Sequence, residues 1–500
     1  MKKIIIILIF TVFVGSQPIL KAQEDQLNLR IDINTVLSQM KGGIGASWHA
    51  MVKEIPLENE KYDYPVRINN ARRSAYGGNP PLSDSVAWNQ LYHHAKWLGL
   101  DFIRVELSQR MYETEHNKFD WQNEEMLVLY KILDWCQANH ADVFLQQMWG
   151  DVDWNAYPGV HPLLSAPRSL DDFAGGIATL LQYLTQTKKY TCIKYFCITN
   201  EPPGGTWGYW WSYGSGSGSI TAALKKVQEI LGVKKINIPL SGPDWTSLPP
   251  FDESKIDFDD YLGAYDIHSY GGIENNDEGI IYDWTRWAHQ HQKPFFLTEF
   301  GNKNLGWGGT NPGPKSFKAA LSNAADVIRG MNAGVDGFNR WSFVNRGNLD
   351  GQWQLVRTYD IDKKAYTKEI IPENEAYYGF AMLSRFLGKY ASLLAWQTDY
   401  CIDGVKPTVF RNSDGNIVLL FVNKLDNTVN VNLTIKDIPA EQTFNQYQVT
   451  EEIIAGQDFE LNPVKELNEL NKAKIIILLP ESITVLTTYQ LKQSDWGIIE

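Results

Sequence analysis

A (β/α)8 barrel followed by a C-terminal antiparallel β-sandwich domain is the α/β fold class predicted for this 500-residue chain. Three observations predict it. Between residues 43 and 343 short apolar strands alternate with longer amphipathic helices, and strands joined through helices pair in parallel, because parallel neighbours need long crossovers. Eight such repeats over roughly 300 residues suit a closed barrel better than an open doubly wound sheet. No phosphate-cradling glycine fingerprint follows the first strand, which lowers the dinucleotide-binding alternative. Beyond the helix expected around residues 373–387 the texture changes to short β-branched runs divided by turn residues.

The elements follow in chain order. Lys2 and Lys3 precede an unbroken apolar run from Ile4 to Val14. That pattern, too short to span a bilayer, predicts a signal peptide over residues 1–22 and an exported protein, periplasmic or extracellular. Residues 23–40 contain LNLRIDI, an extra strand expected to join the sandwich. The barrel is expected over residues 41–386, with strands at 43–48, 102–107, 142–150, 194–201, 236–242, 264–270, 294–301 and 334–343. Amphipathic stretches at 84–98, 123–138, 170–187, 220–231 and 315–332 are the helices between them. The run YGSGSGS at 213–219 reads as a flexible loop entering a helix. PTVFRN, NIVLLFVNK, VNVNLTI, NQYQVTEEI, AKIIILL and SITVLTTYQL are the sandwich strands of a domain over 387–492. Residues 493–500 form a tail with no core pattern.

Composition narrows the function. With 44% hydrophobic and 21% charged residues the chain buries large cores, and its formal net charge of −12 opposes binding to nucleic acid. After removal of the signal, no segment is long and apolar enough for a membrane helix. The four cysteines, Cys136, Cys192, Cys197 and Cys401, lack metal-ligand or nucleophile spacing and read as structural thiols. No cofactor or metal is expected. Nothing in the sequence sets the oligomeric state.

Active sites of such barrels lie at the C-terminal ends of the strands. Those ends deliver Trp48, Arg104, Trp149, Asn200 with Glu201, Asp244 with Trp245, His268 with Tyr270, Glu299, and Trp341. KYFCITNEPPGG and KPFFLTEFGN share one design: an apolar run ending in a carboxylate, at the fourth strand for Glu201 and the seventh for Glu299. Two carboxylates across one mouth are what cleavage of a glycosidic bond requires, one to attack the anomeric carbon and one to protonate the leaving oxygen. Arg104 and Tyr270 are suited to orienting an ionised carboxylate.

TNEP and LTEFG resemble the signatures of the retaining (β/α)8 glycoside hydrolases known as clan A. The resemblance covers the barrel, about three fifths of the chain. It implies that Glu201 is the general acid/base and Glu299 the nucleophile. Asn200 is similar to the residue holding the substrate 2-hydroxyl, and Tyr270, in HSY, to the strand-six Tyr that hydrogen-bonds the nucleophile. Arg104 and Trp341 fall where that superfamily often carries an Arg and a Trp. The β-sandwich and the closing LLPESITVLTTY resemble family 30 of the clan, whereas GIGASWHAM and MWGDVDWNAYPG depart from it. The expectation is a secreted retaining β-glycosidase acting by double displacement on a poly- or oligosaccharide.

Blander readings exist for several residues. Arg104 can be a barrel-internal ion pair, and His268 a satisfied core histidine. Trp154, Trp207, Trp210 and Trp211 can be ordinary packing, although loop tryptophans suit sugar stacking better. DVDWN fits a solvated loop better than a cation site. Arg346, Asp350 and Trp353 are expected as rim contacts. A transglycosidase would share every catalytic residue, and a carbohydrate-binding barrel without activity would lack one of the glutamates. A metal-dependent hydrolase would need more strand-end histidines than His268.

Overall fold

Eight parallel strands close into a barrel in a computed structural model of the chain. It describes residues 26–50, 78–159, 162, 165–202, 218–246, 249–270, 277–302, 313–344, 353–360, 363, 365–455 and 459–491. The expected signal peptide, the loop at 213–217, Trp207, Trp210, Trp211, Arg346, Asp350 and the tail lie outside the described residues. The barrel strands, first to eighth, are Ile44–His49, Phe102–Ser108, Asp142–Trp149, Ile193–Cys197, Leu240–Trp245, Ala264–Ser269, Phe295–Phe300 and Gly337–Val344. Closure brings Phe338 of the eighth opposite Ile44 of the first.

The period-two alternation of strand side chains assigns each residue a face. In the second strand, Ile103, Val105 and Leu107 face the helices, whereas Phe102 joins Phe144, Phe296 and Tyr195 in a small internal cluster. Arg104 and Glu106 share the face of Phe102, so they stand above that aromatic floor. The same alternation corrects two expectations. Trp48 packs outward against Trp135 and Phe343, and Trp245 packs against Phe258 and Trp284. Neither lines the mouth.

Helix starts follow their caps: Asp84, Asn123, Ser169 and Ser316 each accept a hydrogen bond from a backbone amide of the first turn. Gly334 ends the helix Phe317–Ala333 at φ 97°, a conformation that favours glycine. Two strand boundaries differ most from expectation. The fifth strand begins at Leu240 because Lys235 turns left-handed at φ 54° and the Ile236 amide returns to Leu231 O at 2.9 Å. Residues 236–239 thus close the preceding helix and connect it to the strand. The fourth strand ends at Cys197 rather than residue 201.

Nine further strands form one sheet. Gln26–Gln39 lies inside it, antiparallel to Ser392–Thr398 and parallel to Val429–Lys436, while the other pairs are antiparallel. The segment NQYQVTEEI is a strand only to Val449. The Thr450 hydroxyl then caps a short helix, Glu451–Ile454, by accepting from the Ile453 amide at 3.3 Å. Strands Ser392–Thr398 and Lys465–Leu467 were not expected. Both faces of the central strand Ile417–Asn423 are buried. Leu419 and Phe421 belong to the sheet's own core, whereas Val418, Leu420 and Val422 join the core of the barrel. The sheet is therefore docked on the barrel helices through apolar side chains. Cys136, Cys192 and Cys197 are buried free thiols and Cys401 is an exposed one. Among the described residues no helix is long and apolar enough to cross a membrane.

Candidate active site

Glu299 is the fifth of six residues in the seventh strand, and its buried carboxylate points into the barrel mouth. Its Oε1 accepts from Arg104 Nη1, and its Oε2 accepts from the Tyr270 hydroxyl at 2.5 Å. Glu201 follows the fourth strand in a left-handed conformation, φ 48°. Such backbone costs about 1–3 kcal/mol in a non-glycine residue and persists only where its surroundings hold it. Here Asp244, itself at φ 57°, does so: the Glu201 amide donates to Asp244 O at 3.1 Å.

The two glutamates meet through His268. Its Nδ1 lies 2.7 Å from Glu201 Oε1 and 3.4 Å from Glu299 Oε2, while Nε2 lies 3.0 Å from Asp244 Oδ1. One oxygen from each glutamate and one His268 nitrogen all lie within 4.8 Å of one another. Burial opposes a charged imidazole, but Asp244 and Glu299 hold His268 well above the usual histidine range. An imidazolium with both ring nitrogens protonated donates to Asp244 on one side and faces the Glu201 and Glu299 carboxylates on the other.

Arg104 is the hub. Beyond Glu299 it donates from Nε to Gln146, from Nη1 to Glu106 at 2.5 Å and from Nη2 to Asn200 Oδ1 at 2.9 Å. Its own amide is fixed by Asn339 Oδ1 at 2.9 Å. Glu106 also pairs with His49, and that imidazole packs edge-on against Trp341 at 4.7 Å between ring centroids. The Arg104 guanidinium lies 5.8 Å from the Trp341 ring. Gln146 Nε2 donates to Thr199 O at 2.5 Å and Asp244 Oδ2 at 2.8 Å, tying the segment before Glu201 to the floor. Below, Asp266 accepts from the Asp244 amide at 2.7 Å. Burial and the neighbouring Asp244 push its carboxyl up to about 8, so it stays protonated at neutral pH.

Arg104, Asn200, Glu201, His268, Tyr270 and Glu299 thus form one hydrogen-bonded cluster, with Trp341 beside it. The Trp149 side chain lies outside the described residues. Trp353 is buried, edge-on to Tyr270 at 5.6 Å, where a side chain at Gly301 would collide with it, so it supports Tyr270 rather than forming a rim. Trp154 stacks on His116 and bonds Glu113 O, which makes it loop packing. His49, Glu106, Gln146 and Asp266 escaped the sequence reading. The alternation in FIRVELS placed Glu106 on the face of Arg104, but the partners of His49 and Asp266 are remote in sequence.

Glu201, His268 and Glu299 also form a donor set compatible with a cation. Arg104 and Tyr270 each donate to one Glu299 oxygen, and His268 Nδ1, when protonated, offers no lone pair to an ion.

Burial raises the Glu299 carboxyl, with Arg104 and His268 pulling against it and Glu201 adding to it. The ionised Glu299 forms only above that raised value, so an acid limb of kcat/KM that depends on it is expected above the ordinary Glu value of about 4.3. Tyr270→Phe removes a donor to the ionised form. It should move this limb upward by about one pH unit, since a hydrogen bond to a charged group contributes ~1.5 kcal/mol. A pH–rate profile of both proteins checks this; a limb that stays put would refute Tyr270's part in it.

Comparison with known proteins gives a consistent answer. The family model described as Cellulase (glycosyl hydrolase family 5) matches residues 66–339. Among solved structures, the family 30 subfamily 8 xylanase Xyn30A from Clostridium acetobutylicum superposes with a TM-score of 0.62 at 14% identity, covering 92% of this chain and 99% of that one. The endo-beta1,6-glucanase BT3312 gives a TM-score of 0.62 at 15% identity, covering 93% and 94% of the two chains. A conserved exported protein from Bacteroides fragilis gives 0.61 at 13%, covering 92% and 99%. At these identities the likeness is one of fold. No curated protein matches the chain.

Proposed function

Because the chain belongs to the cellulase family, glycosyl hydrolase family 5, and is thus a glycoside hydrolase, we propose that it is an exported retaining β-glycosidase acting on a polysaccharide or its oligosaccharides. The observation that carries the retaining assignment is the approach of Glu201 and Glu299 oxygens within 4.8 Å. So close an approach of two oxygens suits the carboxyl separation of retaining enzymes, about 5–5.5 Å, better than the roughly 6.5–9.5 Å that accommodates the water of an inverting displacement. Export is supported by the Lys2-Lys3 pair and the apolar run that follows.

In this reading Glu299, held by Arg104 and Tyr270, attacks the anomeric carbon while Glu201 protonates the departing oxygen. A covalent glycosyl-enzyme results. Glu201, now a carboxylate, takes a proton from water as that water attacks the same carbon, and Glu299 is released. Once Glu299 is esterified it loses its charge, and His268 Nδ1, 2.7 Å from Glu201, remains to orient the base.

The test is hydrolysis of aryl β-glycosides, xylan, β-1,6-glucan and cellulose, with the anomer of the first product followed by NMR. The β anomer should appear first, and azide should restore turnover to Glu201→Ala as a β-glycosyl azide. An initial α product would sink the retaining assignment. Turnover of Glu201→Ala at the wild-type rate on a poor leaving group would remove Glu201 from the acid role.

A further inference from the structure

The far end of the barrel is open as well. Where the strands begin, a cleft of about 790 Å3 opens beneath the strand Gln26–Gln39. Its ceiling includes Tyr195, which packs against Phe296 of the aromatic floor at 4.9 Å, so the floor separates it from the catalytic cluster. Its volume lies within the range of about 300–1,000 Å3 common for small-molecule sites.

The cleft has an apolar side and a polar side. Leu37, 59% exposed, projects where Gln26–Gln39 is bent by register shifts after Asp32 and Val36. Tyr390, 41% exposed, stands in a left-handed conformation at φ 60°, an outlier for a bulky residue. It is nonetheless held at three points. Its amide donates to Gly42 O at 3.0 Å, its carbonyl accepts from Gln39 Nε2 at 3.3 Å, and its hydroxyl donates to Asp142 Oδ2 at 2.9 Å. Gln292, also at φ 60°, stands exposed on the polar side. Two ion pairs stand there, Asp142 with Lys389 at 3.3 Å and Lys293 with Asp259 at 2.6 Å, beside a His289–Asp336 hydrogen bond at 2.7 Å and the side chains of Lys41 and Lys194.

We propose that this cleft is a second, non-catalytic binding site for a neutral oligosaccharide segment. The proposal rests on the carbohydrate reading of the barrel mouth. A sugar offers an apolar C–H face and a rim of hydroxyls. A fixed aromatic ring beside Leu37 matches the first, and an amide with paired charged groups matches the second. A ring already immobilised loses little entropy when ligand stacks on it. Asp142 and Asp336 share the wall with Lys41, Lys194 and Lys293, so the lining carries both signs of charge, and a charged oligosaccharide is the probe that separates a neutral ligand from an anionic one. Occupancy here would hold a polymer on the enzyme without engaging the catalytic carboxylates.

The experiment is calorimetric titration of the Glu299→Ala protein with hexasaccharides of β-1,4-xylose, β-1,4-glucose and β-1,6-glucose, and with tetragalacturonate as the charged probe. At least one neutral hexasaccharide should fill two sites per chain. Tyr390→Ala, and Leu37→Asp as a variant that changes only an exposed side chain of the cleft, should each weaken one site by about tenfold, the effect of losing a stacked or apolar contact. In the otherwise wild-type enzyme both should leave kcat/KM on an aryl glycoside unchanged and raise KM for the polymer severalfold. Fewer than two sites for every neutral probe, two sites insensitive to both substitutions, or a cleft that takes only tetragalacturonate would overturn the proposal. Hydrolysis persisting in Glu299→Ala would instead overturn the catalytic reading, and the binding stoichiometry would still judge the cleft.

Discussion

Replacing Glu299 with Ala is expected to lower kcat on the order of 10⁵-fold, the scale seen when a covalent nucleophile is removed. In the proposed mechanism the side chain supplies the attacking oxygen, and no neighbouring group is placed to replace it: Glu201 is tied to His268 Nδ1 at 2.7 Å, and Glu106 sits behind Arg104, bonded to His49. Folding should survive. The substitution removes a carboxylate whose burial opposes its ionisation, although Arg104 keeps only Glu106 as a charged partner. Steady-state assays with circular dichroism as a folding control make the comparison. A loss of less than about a hundredfold would assign nucleophilic attack elsewhere, because positioning groups commonly account for effects of that size.

Arg104→Met is expected to have the second largest effect, on both stability and rate. The fully buried guanidinium pairs with both Glu299 and Glu106. Removing it takes the shared positive charge from both, leaving Glu299 with His268 and Tyr270, and Glu106 with His49. Breaking a buried pair from one side costs about 3–5 kcal/mol. Thermal unfolding should therefore fall substantially, and the acid limb of kcat/KM should rise as Glu299 loses the charge that favours its ionised form. The double variant Arg104→Met, Glu106→Gln separates these roles. Removing one of the two carboxylates should recover part of the stability, a non-additivity expected for groups in contact, but not the rate. Full additivity of the two substitutions in stability would mean that Arg104 and Glu106 act independently, against the 2.5 Å contact between them.

Both variants act on a cluster whose parts were unequally visible in the sequence. Glu201 and Glu299 could be read because each ends an apolar run inside a repeating strand–helix order, and that order places strand ends at one mouth. Arg104 and Tyr270 were legible for the same reason. Trp48 and Trp245 were misassigned because a strand end alone does not tell which face a side chain takes. A neighbour in the outer helix layer, such as Trp135 or Trp284, decides that. Likewise the fifth strand started late because a helix cap consumed residues whose apolar pattern suited a strand equally well.

By itself the sequence determined the alternation of strands and helices, the change to β-branched runs after the barrel, and the two carboxylates at strand ends. These are local properties, written in the periods of side-chain polarity and in capping residues within a few positions of each other. Only the tertiary structure decided that Arg104 is shared by Glu299 and Glu106, and that His268 bridges two carboxylates with Asp244 behind it. It alone placed Gln26–Gln39 between strands some 370–400 residues away in the chain, over a cleft at the barrel floor. The physical reason is that hydrogen bonding and charge compensation in a buried site depend on distance in space. Burial withholds water as an alternative partner, so each polar group is settled by whichever neighbour the fold delivers.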